Sequence, residues 1–342
     1  MSIYRQFLVT AALSAVVLGT GAAAAWAYQF GAPLPAAYDL PRLTIMKERA
    51  AQNFPSPKVL VVGDSNVLFG FNSFIASQVI GKPVVNFGLH GGLPIDWLMQ
   101  VAKRNAKPGD TVVFSLVWNN YQRDYRVPED WYVDQMIAWD GEYFVGLPIK
   151  RKLDYIKAIS MRKWWSNIEA KIDSDEILAK YPRRAPMDPS EVVQYYVEES
   201  PKITAFDYSY VNSSVTGDMM RACGNVTKVS GMDALLLHTG VHPAVLALLQ
   251  KTAKELEARG ITVYFSPAVI IDDKITRADD YRQVVNGIWQ QLRAGGLHAI
   301  GTPDEYRFPV NAFFDTSFHL NCQNVPERSR RVAADILAAS KS

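Results

Sequence analysis

Ser65 lies in a short polar run, Gly63-Asp64-Ser65-Asn66, that follows the apolar stretch Lys58–Gly63. A serine hydroxyl becomes a nucleophile when a neighbouring base accepts its proton. The apolar stretch predicts a buried strand, and the glycine permits a sharp turn that would present the hydroxyl beyond the end of that strand. Glycine, aspartate and serine are also common in ordinary turns, so the run by itself favours a structural turn.

Near the C-terminus, Asp315 and His319 begin and end the run DTSFH. A carboxylate beside a histidine holds the imidazole in one tautomer and stabilises the imidazolium that forms when the ring accepts a proton from serine. The pair is therefore suited to activate a nucleophile such as Ser65. An incidental pair in a surface loop is the alternative interpretation.

Two other segments carry donors that suit an oxyanion, the negatively charged oxygen that develops during acyl transfer. Gly88 ends a second apolar stretch and Gly91-Gly92 follow it; glycine lets a backbone N–H approach a reacting carbonyl closely. Asn119 and Asn120 follow a third apolar stretch, and an asparagine side chain is a neutral donor. Taken separately, the glycine segment fits an ordinary strand-to-helix turn as well as it fits an oxyanion site. The asparagines fit a solvent-exposed loop equally well.

The segments that must position these residues alternate between strand and helix patterns. Short apolar, β-branched stretches predict strands at Lys58–Gly63, Pro83–Gly88, Asp110–Leu116, Ile261–Val269 and His298–Gly301. Helical patterns lie at about Thr44–Asn53, Phe74–Ile80, Ile95–Asn105, Pro243–Arg259, Ala278–Arg293 and Val325–Ala339. The alternation predicts an α/β fold with a parallel, doubly wound sheet. Ligands bind beyond the carboxyl ends of such strands. All four groups of candidate residues follow predicted strands, which favours a catalytic site.

Together these motifs resemble the SGNH (GDSL-like) hydrolase superfamily. Their order is a G-D-S serine near the start, N-x-G at Asn86-Phe87-Gly88, an asparagine after the third strand, and a C-terminal Asp/His pair. The stretches Val59–Tyr121 and Phe313–Asn321 look most like the bacterial cell-envelope and exopolysaccharide-modifying members. The resemblance covers the predicted sheet core, which is well under two-thirds of the chain.

The resemblance implies a three-layer, flavodoxin-like α/β/α fold. It implies that Ser65 is the nucleophile, that His319 is the general base, and that Asp315 orients the base. It also implies that the Ser65 amide, Gly88 and Asn119 donate hydrogen bonds to the oxyanion.

The chain departs from the family pattern at two places. The usual D-x-x-H spacing is here D-x-x-x-H, from Asp315 to His319. The usual third block, G-x-N-D, here reads Val117-Trp118-Asn119-Asn120. The first departure bears on the role of the aspartate, and the second leaves Asn120 as the rival of Asn119.

Residues 7–28 (FLVTAALSAVVLGTGAAAAWAY) carry no charged side chain, and as a helix they are long enough to cross a bilayer. No polar face interrupts the run, unlike in a core helix of a globular protein. The segment Ala25-Trp26-Ala27 fits a signal-peptidase site, so the run is either a retained membrane anchor, which we favour, or a cleaved signal peptide. Arg5 stays on the cytoplasmic side, which places the body of the protein in the bacterial periplasm.

We expect three regions along the chain. Residues 1–28 are the anchor or signal, residues 29–57 a proline-containing spacer with a short helix, and residues 58–342 an SGNH-like catalytic domain. The strand–helix alternation stops at about residues 119–241, which predicts a large aromatic-rich insertion after the third strand. Five of the eight tryptophans lie here: Trp118, Trp131, Trp139, Trp164 and Trp165. They could stack on sugar rings, although packing within a cap is the commoner use of such residues.

The 36 basic residues nearly balance the 34 acidic ones and give a formal net charge of +2. The sequence has no concentrated basic stripe, so we do not expect nucleic acid as a partner. His238 and His242 have a spacing that can bind zinc on a helix. However, Gly240 and Pro243 would disturb that helix, and no third ligand accompanies the pair. We therefore expect neither a metal nor another cofactor.

Cys223 and Cys322 are the only cysteines. An even number of cysteines in an exported chain favours a disulfide, and two separate buried thiols are the alternative. A bridge would join the insertion to the loop that carries Asp315 and His319.

These observations predict an exported, serine-dependent acyl-ester hydrolase or O-acyltransferase that acts on a cell-envelope polysaccharide or another acylated sugar. The same catalytic residues serve both reactions, so the acyl acceptor can be water or a sugar hydroxyl. For transfer, we expect an exopolysaccharide such as cellulose as the acceptor and an integral-membrane acyltransferase as the acyl supplier. The alternative is a catalytically inactive SGNH-fold module that binds glycan through the aromatic insertion.

Overall fold

The computed structural model describes residues 3–34, 40–180, 189–191, 212–225, 229–230 and 240–341. The chain forms two compact units. The helical unit consists of Met1–Tyr38 and Pro128–Arg184, and the sheet unit consists of Asp39–Val127 and Ala185–Ser342. The predicted insertion is therefore described only in part, and His238 lies outside the described residues.

The sheet unit is built on four parallel strands in the order β2-β1-β3-β4. The strands are β1 (Val59–Gly63), β2 (Val84–Gly88), β3 (Thr111–Ser115) and β4 (Thr262–Phe265). Strands β1 and β2 are buried along their whole length, as expected for strands that are covered on both faces. The structure confirms a mixed α/β fold with a central parallel sheet flanked by helices.

The register of the sheet brings three strand ends level with one another. Gly63 at the end of β1 pairs with Gly88 at the end of β2 and with Ser115 at the end of β3. The segments that follow these residues therefore leave the sheet side by side at one edge.

In the part of the sheet unit that the structure describes, seven α-helices come before the C-terminal one. They are α2 (Leu40–Asn53), α3 (Ser65–Gly70), α4 (Ser73–Ile80), α5 (Ile95–Asn105), α6 (Trp118–Gln122), α12 (Pro243–Glu257) and α13 (Asp279–Ala294). The C-terminal helix α14 (Val325–Ala339) packs against α4. Its Val332 and Ile336 join Val61 and Val113 of the sheet in one buried cluster.

The strand predicted at Ile261–Val269 is shorter than expected, and the one predicted at His298–Gly301 is not a strand. Pairing in β4 stops at Phe265, because Pro267 lacks the N–H that a continuing ladder requires. Ala299 makes only an isolated parallel bridge to Phe265. Gly301, with φ of +64°, turns the backbone out of the extended conformation.

Two short strands that the sequence pattern did not predict form a separate parallel pair. They are β5 (Ile270–Asp272) and β6 (Arg307–Pro309). Phe308 of β6 packs in a small buried cluster with Phe313 and Leu320, so this pair supports the loop that carries Asp315 and His319.

The helical unit contains the N-terminal helix and five helices from the predicted insertion. They are α1 (Ile3–Tyr28), α7 (Asp130–Ala138), α8 (Gly141–Gly146), α9 (Ile149–Ala158), α10 (Met161–Ile172) and α11 (Ser174–Lys180). Helix α1 packs against α10, and Trp26 and Phe30 pack with Phe144 of α8 at ring distances of 6.0 and 5.5 Å.

Residues 29–34, the start of the segment interpreted as a spacer, pack against helices of the helical unit. Gln29 and Ala32 are fully buried. Asn167 of α10 donates a hydrogen bond to Gln29 Oε1 (3.0 Å), and Gly31 N–H donates to Ile137 O of α7 (2.6 Å). The residues directly after α1 are therefore packed within the helical unit.

Helix α1 is the one described helix that is long and apolar enough to cross a membrane. It has 26 residues, a mean hydropathy of 1.9 in its most apolar window, and no buried residue. A signal sequence near the N-terminus has the same properties, so the structure is compatible with both an anchor and a signal peptide.

Candidate active site

Ser65 is the first residue of α3 and lies directly beyond β1. The preceding residue, Asp64, caps the helix with its carboxylate, which accepts from Asn66 N–H at 3.0 Å. An aspartate at this position stabilises a helix start because it accepts from an N–H that has no partner within the helix. The strand-to-helix turn thus holds Ser65 at the edge where the three strands end.

The Asp64 carboxylate is buried and joins two segments, its own turn and the segment that follows β3. It accepts from the Asn66 side chain (2.7 Å), from Val117 N–H after β3 (2.8 Å) and from the Asn120 side chain (3.0 Å). Burial raises the pKa of Asp64, and these donors oppose the increase. The carboxylate therefore fixes the β3–α6 loop beside the turn that carries Ser65.

Arg328 of α14 lies beneath the same turn and is almost completely buried. Its guanidinium donates to the backbone and side-chain oxygens of Asn66 and to Ser115 Oγ at 3.1 Å. Burial lowers the pKa of Arg328 to about 10, so the group remains charged at neutral pH. A buried charge that is bonded in this way positions the turn.

Asp315 and His319 form a buried pair despite the extra residue between them. Asp315 Oδ1 lies 2.7 Å from His319 Nδ1. The loop is closed at its base by the hydrogen bond from Phe314 N–H to His319 O (2.8 Å) and by the antiparallel bridge between Phe313 and Leu320. Because Nδ1 of His319 contacts Asp315, Nε2 is the ring nitrogen that can accept a proton.

Phe69 connects the histidine to the helix that begins with Ser65. Its ring stacks on the His319 ring at 4.3 Å. Ser65 and Phe69 are one turn apart on the same face of α3, so His319 packs against the helix that begins with Ser65. The hydrogen bonds of the described residues do not include one between Ser65 and His319, and such bonds are often long in substrate-free enzymes.

The glycines after β2 approach the serine closely. A methyl group placed on the Gly91 Cα would come 3.5 Å from Ser65 Oγ, and one placed on Gly88 would collide with the backbone of α3 at Leu68. Gly88 N–H donates to Asn86 Oδ1 at 2.8 Å. Gly91 therefore contributes backbone next to the hydroxyl, whereas the Gly88 N–H is already engaged.

His90 lies between these glycines and faces the same site. Its Nδ1 accepts from Gly92 N–H at 3.0 Å, which leaves the proton of the neutral ring on Nε2. Burial, together with the charge of His319, lowers the pKa of His90 to about 4. His90 is therefore neutral at physiological pH and presents a donor rather than a second positive charge.

The two asparagines after β3 have different surroundings. The Asn120 amide donates to Asp64 Oδ2. Asn119 is buried, and its Oδ1 has no hydrogen-bond partner within the described residues. The structure thus commits Asn120 to the turn and leaves the Asn119 side chain for another partner.

The structure contains the Cys223–Cys322 disulfide that the sequence predicted. Cys322 N–H also donates to Ala222 O (2.7 Å), and the Asn225 side chain donates to Asn311 O (3.0 Å). The segment around Cys223 is therefore joined to the loop that carries His319.

His242 caps α12 through the hydrogen bond that its Nδ1 accepts from Ala244 N–H (3.2 Å). Within the described residues, His, Cys, Asp and Glu side chains form no group of three that could hold a metal ion.

No protein-family model matches the chain, and no curated protein matches it significantly.

Phe69 and Arg328 contact residues of the site, and the sequence motifs indicated neither of them. Arg328 had a signal in the sequence, because it occupies a position on the apolar face of the last helix, near Val325 and Val332. The stacking of Phe69 on His319 depends on tertiary contacts and had no such signal.

Proposed function

We propose that the sheet unit is a serine-dependent acyl-ester hydrolase or O-acyltransferase of the SGNH type. The observation that carries the proposal is the Asp315–His319 pair, whose imidazole stacks on Phe69 of α3, the helix that begins with Ser65 where β1 ends. A nucleophile, a base and a carboxylate that orients the base are the parts that acyl transfer requires.

In the proposed first step, Ser65 Oγ attacks the carbonyl carbon of an acyl ester while His319 Nε2 accepts the hydroxyl proton. Asp315 holds the ring through Nδ1 and stabilises the imidazolium. Collapse of the tetrahedral intermediate breaks the ester C–O bond, and His319 gives the proton to the departing alcohol. The acyl group remains on Ser65 as an ester.

In the second step, the acceptor hydroxyl gives its proton to His319 and attacks the acyl-enzyme. The ester C–O bond to Ser65 then breaks, and His319 returns the proton to Ser65 Oγ. Water as the acceptor gives hydrolysis, and a sugar hydroxyl gives transfer. The oxyanion receives hydrogen bonds from the Ser65 N–H and the Asn119 side chain in both steps. A backbone N–H from Gly88 or from the Gly91 turn completes the set, and the Gly91 N–H needs no rearrangement of Asn86 to do so.

The finer fold assignment, a three-layer flavodoxin-like domain, belongs to the same proposal. Its support is the all-parallel strand order β2-β1-β3-β4 with helices beside the strands. A site at the carboxyl ends of such strands agrees with the general behaviour of open α/β sheets.

We further propose that the protein is anchored in the inner membrane by α1 and faces the periplasm. Its substrate would then be an acylated sugar of the cell envelope, with an exopolysaccharide as acceptor and an integral-membrane acyltransferase as acyl supplier. The support is the resemblance of the motifs to envelope-modifying enzymes and the apolar α1.

A glycan-binding module that has lost catalysis is the second candidate. The D-x-x-x-H spacing and the absence of a Ser65–His319 hydrogen bond among the described residues favour it. The Asp315–His319 contact weighs against it, because a module without catalysis has no need of a buried carboxylate–imidazole pair.

Labelling with a fluorophosphonate distinguishes the two candidates, because the reagent reacts with activated serines. We expect the native protein and a Ser77→Ala control to be labelled, and Ser65→Ala to remain unlabelled. Equal labelling of Ser65→Ala would contradict the proposal, and no labelling of the folded native protein would favour the binding module.

A further inference from the structure

We propose that α9 and α10 of the helical unit lie on the surface of an anionic phospholipid bilayer, next to the end of α1. The inference rests on the proposal that α1 is retained as an anchor. It concerns helices that take no part in the proposed chemistry.

Helix α9 turns its apolar stripe outward. Ile149, Leu153 and Ile156 recur at the spacing of one helix face, and their side chains are 77%, 48% and 40% exposed. Tyr155 points inward and is buried, packed against Tyr132 and Tyr143. A surface helix of a globular protein normally faces its apolar stripe to the core. The stripe on α9 therefore lacks the cover that such a stripe requires.

Helix α10 has the same inverted arrangement. Met161, Trp165 and Ile172 lie on one side of the helix and are 73%, 61% and 64% exposed. The opposite side carries Asn167 and Lys171, which hydrogen-bond to Gln29 and to Phe30 O. An exposed tryptophan among aliphatic side chains is typical of helices that lie at a membrane interface.

The net positive charge of residues 149–172 favours an anionic membrane surface. Residues 149–172 contain seven basic side chains, Lys150, Arg151, Lys152, Lys157, Arg162, Lys163 and Lys171, and two acidic ones, Asp154 and Glu169. The local net charge is 7 − 2 = +5, whereas the whole chain carries +2, so the remainder carries −3. Basic residues beside exposed apolar ones favour anionic headgroups, at about 1 kcal/mol for each basic residue close to the surface.

The place of these helices agrees with a bilayer as the occupant. In α1, only Ala25 and Trp26 are partly covered, and the residues before them are exposed. Trp26 packs against Phe144 of α8, and Lys171 of α10 donates to Phe30 O. Contacts of α8 and α10 with the chain therefore begin at the C-terminal end of α1, and α9 and α10 belong to the same compact unit as α1. If α1 spans a membrane, the surface of that membrane lies at the C-terminal end of α1, next to these helices.

A single fluorophore tests the proposal in the full-length protein. The two native cysteines form the disulfide, so Leu153→Cys provides one thiol for an environment-sensitive dye. The protein is reconstituted in vesicles of phosphatidylglycerol or of phosphatidylcholine, with or without brominated acyl chains as quenchers. We expect a blue-shifted emission that the brominated chains quench, and stronger quenching in phosphatidylglycerol.

Two matched charge reversals complete the experiment. Lys150→Glu/Lys157→Glu should abolish the preference for phosphatidylglycerol, whereas Lys251→Glu/Lys254→Glu, an equal charge change in α12, should preserve it. Flotation with vesicles reports separately whether α1 is inserted. Flotation without quenching at position 153 would overturn the inference and leave the anchor intact. Failure to float would overturn both. Shielding of the dye in native membranes alone would assign the surface to a protein and also overturn the inference.

Discussion

At the scale of single residues, the site depends on which polar groups are already engaged. Asp64 receives hydrogen bonds from Asn66, Val117 N–H and Asn120. Asn119, the residue before Asn120, makes no hydrogen bond to Asp64, and its Oδ1 is unpaired within the described residues. Two side chains of the same type thus differ, because Asn120 holds the turn and Asn119 does not.

This division predicts different consequences for two matched variants. Asn119→Ala should lower kcat/KM for an acyl ester about 10²–10³-fold, as the loss of one oxyanion donor does, with little change in melting temperature. Asn120→Ala should lower the free energy of unfolding by about 1–3 kcal/mol, because the buried Asp64 carboxylate loses a donor. Steady-state kinetics and denaturant unfolding measure the two effects. The reverse pattern would assign the oxyanion role to Asn120.

The proposed catalytic residues should act as a unit. Ser65→Ala and His319→Ala should each reduce turnover more severely than Asp315→Asn, and the double variant Ser65→Ala/His319→Ala should be little worse than either single variant. Kinetics with a chromogenic acyl ester measure this. Additive losses in the double variant would show that the two residues work independently.

His90 predicts a dependence of stability on pH. Its pKa in the folded state, about 4, lies below the ordinary value of 6.5, so its contribution is present above pH 6.5 and is lost as the pH falls through 4. At about 1.36 kcal/mol per pKa unit, the loss is up to about 3 kcal/mol. Urea unfolding at pH 7 and at pH 4 should show a smaller difference for His90→Asn than for the native protein. Equal differences would refute this contribution of His90.

At the scale of elements, the sequence predicted the parts that periodicity controls. The ends of the first three strands at Gly63, Gly88 and Ser115 lie within a residue of their predicted positions, because short β-branched runs bounded by glycine and polar residues are distinctive. The length of strand β4 was overestimated. The apolar run in the sequence continues past Pro267, whereas the hydrogen-bonded pairing with β3 ends at Phe265. The pair β5 and β6 was missed, since each strand has only three residues.

The candidate site divides in the same way. Ser65, Asp315 and His319 were found from residue type and order, and the pairing of the last two is observed. The hydrogen bonds of Arg328 and the stacking of Phe69 join residues that are distant in the sequence. Such contacts follow from the packing of α14 and of the His319 loop, which no local pattern records.

The disulfide predicts a link between stability and turnover. It closes a loop with a sequence separation of 99, for which chain entropy gives a ceiling of about 4–5 kcal/mol. Because the bridge holds the loop that carries His319, reduction should lower both the melting temperature and kcat. Cys223→Ser and Cys322→Ser should match each other. A reduced protein with unchanged kcat would show that the loop keeps its position without the bridge.

At the scale of the whole molecule, the chain combines a sheet unit that contains the candidate site with a helical unit that contains α1. In the sheet unit, residues 212–220 lie beside β2. In that segment Thr216 O accepts from Asn86 N–H (2.9 Å), and Gly217 O accepts from the buried Lys47 side chain (2.8 Å). This segment covers the outer edge of β2, which protects the strand from pairing with another chain. Helix α1 belongs to the helical unit and Ser65 and His319 to the sheet unit, so the proposed anchor and the proposed catalytic site are in separate parts of one chain.

The central claim is that Ser65 carries the acyl group between donor and acceptor. The most direct test is to mix the full-length protein with an activated acyl ester, quench with acid within the first turnover, and locate the acyl group by peptide mass mapping. The account predicts acylation of Ser65 in the native protein, and an acyl-enzyme that disappears when water or a sugar acceptor is supplied. Turnover without any acyl group on Ser65, or an acyl group located on another residue, would contradict it.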